Sequence, residues 1–418
     1  MNELTINEHK ASQKNNMSVT DRLARKTILA MLNKIHIGHL IIEENDNVMH
    51  FGQSLEQTDL IATIRVHHSL VYRDVFVNAT VGSGEAYMQG AWSSPDLVKV
   101  IRLMVNNLTM LNSMDSKTAW YKKISGQLFR WVTANSLQGS RKNISAHYDL
   151  GNDFFQLFLD DTMMYSAAVF PEKDTPLYDA SVNKLEQICQ KLELTATDHV
   201  IEIGTGWGGF ALYAAQHYGC RVTTTTISKE QYTKACSRVE AAGLQDKVTV
   251  LQQDYRNLEG QFDKLVSIEM IEAVGHEFYA SYFKTCNALL KPDGRMLIQA
   301  ITIPDQRYQQ ARKRIDFIKR YVFPGGCLPS NAVFTDNLAK HTDMQLIGFE
   351  DITDHYARTL ACWRERFWNN IANVRQQGFD DVFIRMWDFY LAYCEGGFRE
   401  RVISTTHFVC AKPSYRFQ

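Results

Sequence analysis

No run of eighteen or so consecutive apolar residues occurs in the chain, so the sequence offers no helix able to span a membrane. The first sixteen residues, MNELTINEHKASQKNN, are polar and lead into no apolar segment of signal-peptide type. Cysteine is thinly spread: Cys189, Cys220, Cys236, Cys286, Cys327, Cys362, Cys394 and Cys410 form no Cys-x-x-Cys pair. That scatter argues against a disulfide framework or a zinc site and suits a reducing, cytoplasmic compartment. Charge of one sign is not in excess either. Lys and Arg total 45 against 46 Asp and Glu, so no global electrostatic case for a nucleic-acid partner arises. Internal repeats and low-complexity tracts are lacking. What is present is ordinary globular composition, 45% hydrophobic and 22% charged, over 418 residues. Such a chain is neither disordered nor collagen-like, can bury a sizeable core, and has the length of two or three domains.

The early part reads as a small α+β unit. Leu23, Ile28, Leu29, Leu32 and Ile35 recur at helical spacing from Thr20 to about His39, with Arg22, Arg25 and Lys26 between them. Thr63 to His68 and Val71 to Ala79 read as strands. The glycines of GSGEAYMQG then suggest a turn-rich junction, before a helix opening near Ser93–Pro95. The polar stretch TANSLQGSRKN (133–143) breaks the pattern and predicts a linker. The expected division is therefore a small N-terminal domain over 1–132 and a larger domain over 144–418.

From about Asp198, strand and helix alternate. HVIEIG (199–204), CRVTTTTI (220–227), KVTVLQ (247–252), FDKLVSIEM (262–270) and GRMLIQAIT (294–302) read as strands. Helices are expected at 208–218, 229–243 and 277–290. This alternation predicts a parallel, doubly wound Rossmann-like α/β sheet with helices on both faces. Ligands bind beyond the carboxyl ends of such strands, here after Ile203, Thr226, Leu251, Glu269 and Ala300.

In EIGTGWGG, Gly204, Gly206 and Gly209 formally meet the dinucleotide pattern G-x-G-x-x-G between a strand and a helix. A dinucleotide site also wants an acidic residue ending the second strand, where this chain has Thr223–Thr226. The apolar–acidic–apolar–G-x-G pattern around Glu202 instead favours S-adenosylmethionine over NAD, and three glycines make a plain turn a costly alternative.

Several segments together resemble the cyclopropane fatty acid synthases, which act on phospholipid acyl chains. They are ISAHYDLGNDFFQLFLDDTMMYSAAVF (144–170), VIEIGTGWGGFA (200–211), TISKEQ (226–231), QDYRNLEGQFDKLVSIEMIEAVGHEFYASYF (253–283), FIKRYVFPGGCLPS (317–330), HYARTLACW (355–363) and FYLAYCEGGFRER (389–401). RVHHSLVYRDVF (65–76) and GEAYMQGAW (84–92) resemble the family's small N-terminal domain more loosely.

The resemblance implies methylene transfer from S-adenosylmethionine to the cis double bond of an unsaturated acyl chain, through a carbocation. Bound bicarbonate would then remove the proton whose loss lets the ring close. It also implies that Tyr165, Ser166, Glu202, Gly204, Gly206, Thr226, Gln231, Asp254 and Tyr255 surround the cofactor, Gln231 taking the ribose. Glu272, Tyr356 and the backbone at Ile301 would hold the bicarbonate. Aromatic faces could steady the cation; Tyr165, Phe170, Tyr279, Tyr282, Phe283, Tyr308, Tyr321 and Phe323 lie near the motifs, most of them simply as core.

Two positions depart from the bacterial pattern and approach the plant-type one. Ala167 stands in place of a cysteine, where its backbone amide can still donate to an anion. Gln299 stands in place of a histidine, where it can donate a hydrogen bond but cannot carry charge. A methyl-branched or methylene product, and an inactive lipid-binding protein, are therefore the alternative readings.

In QQARKRIDFIKRYVF (309–323), Arg312 and Lys319, and Lys313 and Arg320, would share one helix stripe beside Ile315, Ile318 and Val322. Such a helix fits either a solvated face or docking to anionic phospholipid at the inner face of a membrane. The N-terminal domain would hold lipid or support a homodimer.

Overall fold

The computed structural model describes residues 18–108 and 150–416. The expected linker at 133–143 lies outside the described residues. Helix α1 (Val19–Leu32) starts at Ser18, whose hydroxyl accepts the Asp21 N–H at 3.1 Å. It stops earlier than the sequence suggests. The chain then enters β1 (His39–Glu44), turns at Asn45 with positive φ, and returns as β2 (Asn47–Gly52).

Strand β3 (Ile61–Val66) runs parallel to β1, and short β4 (Trp92–Ser93) completes a sheet of order β2-β1-β3-β4. The expected strand at Val71–Ala79 and the junction after it are instead one helix, α2 (Leu70–Met88), kinked at Ala79. The β-branched valines and the glycines misled. Gly84 serves close approach rather than a turn, since a Cβ there would lie 2.4 Å from the Phe317 ring. Asp96 caps α3 (Leu97–Asn106).

After α4 (Asn152–Gln156) and α5 (Leu177–Leu192) comes the large sheet. Its parallel strands are β5 (His199–Ile203), β6 (Arg221–Thr226), β7 (Val248–Gln252), β8 (Phe262–Ile268) and β9 (Leu290–Thr302). Two strands that sequence reading missed, β10 (Gln345–Asp351) and β11 (Ser404–Ala411), join antiparallel at one edge, giving β10-β11-β9-β8-β5-β6-β7. Between the parallel strands run α6 (Gly209–Tyr218), α7 (Lys229–Ala241), α8 (Ile271–Val274) and α9 (Tyr279–Leu289). Strand residues alternate between two cores. Val200, Val266, Leu297 and Val409 pack on one face, and Ile201, Leu265, Met296 and Phe408 on the other. The sheet is thus doubly wound.

The remaining helices are α10 (Asp305–Ala311), α11 (Phe317–Tyr321), α12 (Asn331–His341), α13 (Thr353–Asn369), α14 (Ile371–Gln376) and α15 (Asp381–Arg399). The single basic helix expected over 309–323 is therefore two short ones. Asp316 ends the break by accepting the Lys319 N–H at 2.9 Å, and no seven-residue basic stripe forms. The N-terminal unit shares one core with these helices, from Ala24 and Leu40 to Trp387 and Phe398. Buried Asp388 on α15 ties them further, accepting Tyr87 at 2.7 Å, Arg364 at 2.7 Å and Trp368 at 2.8 Å.

Candidate active site

Two cavities open at the carboxyl ends of the parallel strands. The smaller is lined by Tyr165, Ser166, Glu202, Gly204, Gly206, Thr226, Gln231, Asp254 and Tyr255, the residues that the resemblance assigns to the cofactor. Met163, Trp207, Arg256 and Met270 also line it, without having been picked out in the sequence. Gly206 has φ +52°, and a Cβ there would meet no protein atom within 4 Å, so the loop leaves room for a ligand. Thr226 donates to the Gln231 side-chain oxygen at 2.8 Å, and Asp254 pairs with Arg256 at 2.6 Å. Burial pushes Glu202 up to about 8, against the hydrogen bond it accepts from Thr224 at 2.6 Å. An open glycine turn among hydroxyl-binding acceptors and carboxyl groups fits the hydroxyls and positive sulfonium of S-adenosylmethionine.

The larger cavity, of about 880 Å³, is mostly apolar. One wall comes from the N-terminal unit: Ile28, Met31 and Leu32 of α1, Ile42 of β1, and Ile64 and Val66 of β3. The opposite wall includes Leu360, Phe389 and Tyr390. Lys313 and Arg314 line the cavity while remaining exposed, and so mark where it meets solvent. Tyr165, Glu269 and Ala273 line both cavities, which therefore meet at these three residues.

Glu269 is the hub of that junction. One carboxylate oxygen accepts the Ala167 N–H at 2.9 Å and the Gln299 amide at 2.7 Å; the other accepts the Tyr356 hydroxyl at 2.7 Å. Its backbone sits at φ +51°, a strained setting for a residue with a Cβ and a common one at functional sites. Burial raises its pKa, opposed by these three hydrogen bonds.

Glu272 lines the larger cavity, and one of its oxygens accepts the Ile301 N–H. The other oxygen is buried without a hydrogen bond. Burial first, and then the Glu269 charge, push Glu272 up to about 8. Every donor that the resemblance turns toward bicarbonate is thus taken by a side-chain carboxylate, and these residues as arranged do not fit that ion. Tyr356 and Glu272, which the resemblance turns toward one anion, both line the larger cavity, Tyr356 bonding Glu269 and Glu272 bonding the Ile301 N–H.

Around the junction, Tyr165 and Tyr390 hydroxyls meet at 2.7 Å, and the Tyr165 ring lies 5.2 Å from that of Trp363. Of the aromatics singled out in the sequence, Tyr165, Phe323 and no others line the large cavity among the described residues. Phe170, Tyr282 and Phe283 are core, and Tyr279 donates to the Cys327 carbonyl at 2.5 Å. Sequence reading passed over Glu269 and also Lys184, a fully buried lysine that donates to Ser166 at 2.8 Å. Burial lowers Lys184 to about 8, opposed by Glu269, Asp160 and Glu202. An acid ending an otherwise apolar strand was the available signal for Glu269.

A seven-stranded sheet with a glycine turn after its first strand and a carboxylate cluster beyond its fourth defines an S-adenosylmethionine-dependent methyltransferase. Residues 135–408 match the family described as "Mycolic acid cyclopropane synthetase", and the chain belongs to that family. It is 39% identical over 326 residues to "Tuberculostearic acid methyltransferase UfaA1" of Mycobacterium tuberculosis, covering 76% of each chain. It is 36% identical over 353 residues to "Cyclopropane-fatty-acyl-phospholipid synthase" of Escherichia coli, covering 82% of this chain and 86% of that one. The solved structure of mycolic acid cyclopropane synthase CmaA1 "complexed with SAH and CTAB" superposes with a TM-score of 0.61 at 30% identity, covering 65% of this chain and 98% of that one.

Proposed function

We propose that the protein modifies the cis double bond of an unsaturated phospholipid acyl chain, forming a cyclopropane. The observation that carries this reading is the meeting of an apolar cavity of about 880 Å³ with the glycine-turn cleft at Tyr165, Glu269 and Ala273. S-adenosylmethionine supplies a methyl group made electrophilic by its sulfonium, which an olefin can take up as a carbocation. Tyr165 and Tyr390 line the cavity beside the junction, and an aromatic face turned to such a cation is worth roughly 0.5–2 kcal/mol.

The Glu269 carboxylate, at the junction of the two cavities, would receive the proton whose loss closes the ring. Ala167, Gln299 and Tyr356 hold it in place and favour its ionised form. Glu272, with its raised pKa, is the neutral partner. Burial raises both carboxyls, but only Glu269 has three donors that oppose the rise. No bicarbonate is required.

A peripheral membrane position supports this substrate. No helix among the described residues is long and apolar enough to cross a membrane, while Lys313 and Arg314 stand exposed at the cavity mouth. Phe76 and Val77, exposed next to mouth-lining Asn78, add an apolar element. The N-terminal unit then acts as a lipid-binding wall. The likeness to a tuberculostearic acid methyltransferase favours a second reading from the same cation: a methylene product, by hydride shift within the chain and loss of a methyl proton, or a methyl-branched chain that loses a proton from the neighbouring carbon and keeps a double bond.

Incubation with S-adenosylmethionine carrying a 13C methyl group and vesicles of unsaturated phosphatidylglycerol tests both. Labelled ring carbon supports the cyclopropane, labelled exomethylene or methyl carbon supports the second reading, and unlabelled lipid refutes both.

A further inference from the structure

Behind Glu269, a string of buried polar groups runs outward across two strands and a helix. Gln299 on β9 and His407 on β11 are direct cross-strand partners. The Gln299 side-chain oxygen lies 2.9 Å from His407 Nε2, and His407 Nδ1 lies 2.7 Å from Lys191 Nζ in the last turn of α5. Gln299 and His407 are both fully buried, whereas Lys191 reaches the edge of the sheet and pairs with Glu350 on β10. None of these links takes part in the fold's backbone ladder.

The donors and acceptors leave one arrangement. An ammonium only donates, so His407 Nδ1 accepts and its proton sits on Nε2. That N–H donates to the Gln299 oxygen, which turns the amide nitrogen toward Glu269 at 2.7 Å and the Ala167 carbonyl at 3.4 Å. The opposite amide orientation would set an oxygen against a carboxylate and a carbonyl. Each bond therefore polarises the next in one direction, from a cation at the edge to the carboxylate at the centre. Burial, and then the charge of Lys191, keep His407 neutral, as this direction requires.

We infer that His407 is a positioning residue, fixing the Gln299 amide so that it donates to Glu269 and holds that carboxylate in its ionised, proton-accepting form. The inference rests on the reading of Glu269 as the base. The resemblance implies a histidine at position 299 in bacterial members; in this chain an imidazole reaches Gln299 from the neighbouring strand.

The test compares full-length His407→Leu, His407→Gln and Lys191→Met with the parent on unsaturated phospholipid vesicles, with S-adenosylhomocysteine binding measured by calorimetry. His407→Leu should lower kcat about tenfold to a hundredfold through misplacement of the carboxylate, with cofactor affinity and KM little changed. His407→Gln supplies an N–H to Gln299 and an acceptor to Lys191, and should recover most of the loss. Lys191→Met leaves the core packing untouched and frees the tautomer, so kcat should fall in the same sense should His407→Leu fail to fold. Parental kcat in both His407→Leu and Lys191→Met overturns the inference, as does His407→Gln performing no better than a folded His407→Leu. Glu269→Gln is run alongside: full turnover there strikes the base reading itself, whereas its loss with unaffected His407→Leu and Lys191→Met strikes only the role of His407.

Discussion

Replacing Glu269 isolates the chemistry from the architecture. In Glu269→Gln the amide oxygen can keep the Ala167 and Gln299 donors, now 2.9 and 2.7 Å away, while its N–H2 turns to the Tyr356 hydroxyl oxygen. Three hydrogen bonds worth about 1 kcal/mol each are thus retained, and the thermal midpoint should move little. Proton acceptance is gone. Loss of a general base costs about 10²–10⁴ in rate, so kcat should drop by that much with S-adenosylhomocysteine affinity unchanged. The companion Glu269→Gly relieves the φ +51° backbone, a gain of about 1–2 kcal/mol, but strips the three donors of their partner. Added bicarbonate presents the missing oxygens and should restore turnover to Glu269→Gly while leaving the parent unaffected. S-adenosylhomocysteine release from phospholipid vesicles, with and without carbonate-depleted buffer, measures both. Turnover by Glu269→Gln within about threefold of the parent, far less than any general-base loss, refutes the assignment.

Three other perturbations probe the rest. Ile64→Trp fills the N-terminal wall of the large cavity, so each methylene it displaces should cost about 0.8 kcal/mol, about fourfold in kcat/KM. Long acyl chains should therefore lose more than short ones, and an equal loss across lengths contradicts the lipid wall. Glu272 has its folded pKa raised above the unfolded one, so its contribution to stability is full in acid and is lost as pH rises toward about 8. Thermal midpoints of Glu272→Gln at pH 5.5 and 8 should accordingly differ less than the parent's. Asp388→Leu leaves the half-buried Arg364, Trp368 and Tyr87 without their buried acceptor and should destabilise by about 3 kcal/mol in denaturant titration.

The large domain was legible because its signals are local. Five short apolar strands separated by helices of ordinary length specify a parallel sheet, and the glycine turn after Ile203 marks where a ligand lies. The antiparallel strands β10 and β11 were hidden because they follow long helical stretches without hairpin punctuation. In the N-terminal unit, propensity misdirected. Val71, Val75 and Val77 favour a strand, yet packing of α2 against α11 and α15 holds a helix, and Gly84 is there for the Phe317 ring. The cleft residues could be picked out by motif because they sit on consecutive loops. Glu269 offered only the signal of an acid ending an apolar strand, and its role stayed hidden because it depends on donors from Ala167, Gln299 and Tyr356, brought together from three distant segments.

The most direct measurement counts deuterium. With S-adenosylmethionine deuterated at its methyl group and an unsaturated phospholipid, transfer to the olefin followed by proton loss to Glu269 predicts acyl chains that retain two of the three deuterium atoms on the new carbon. Chains carrying all three, or none, contradict it.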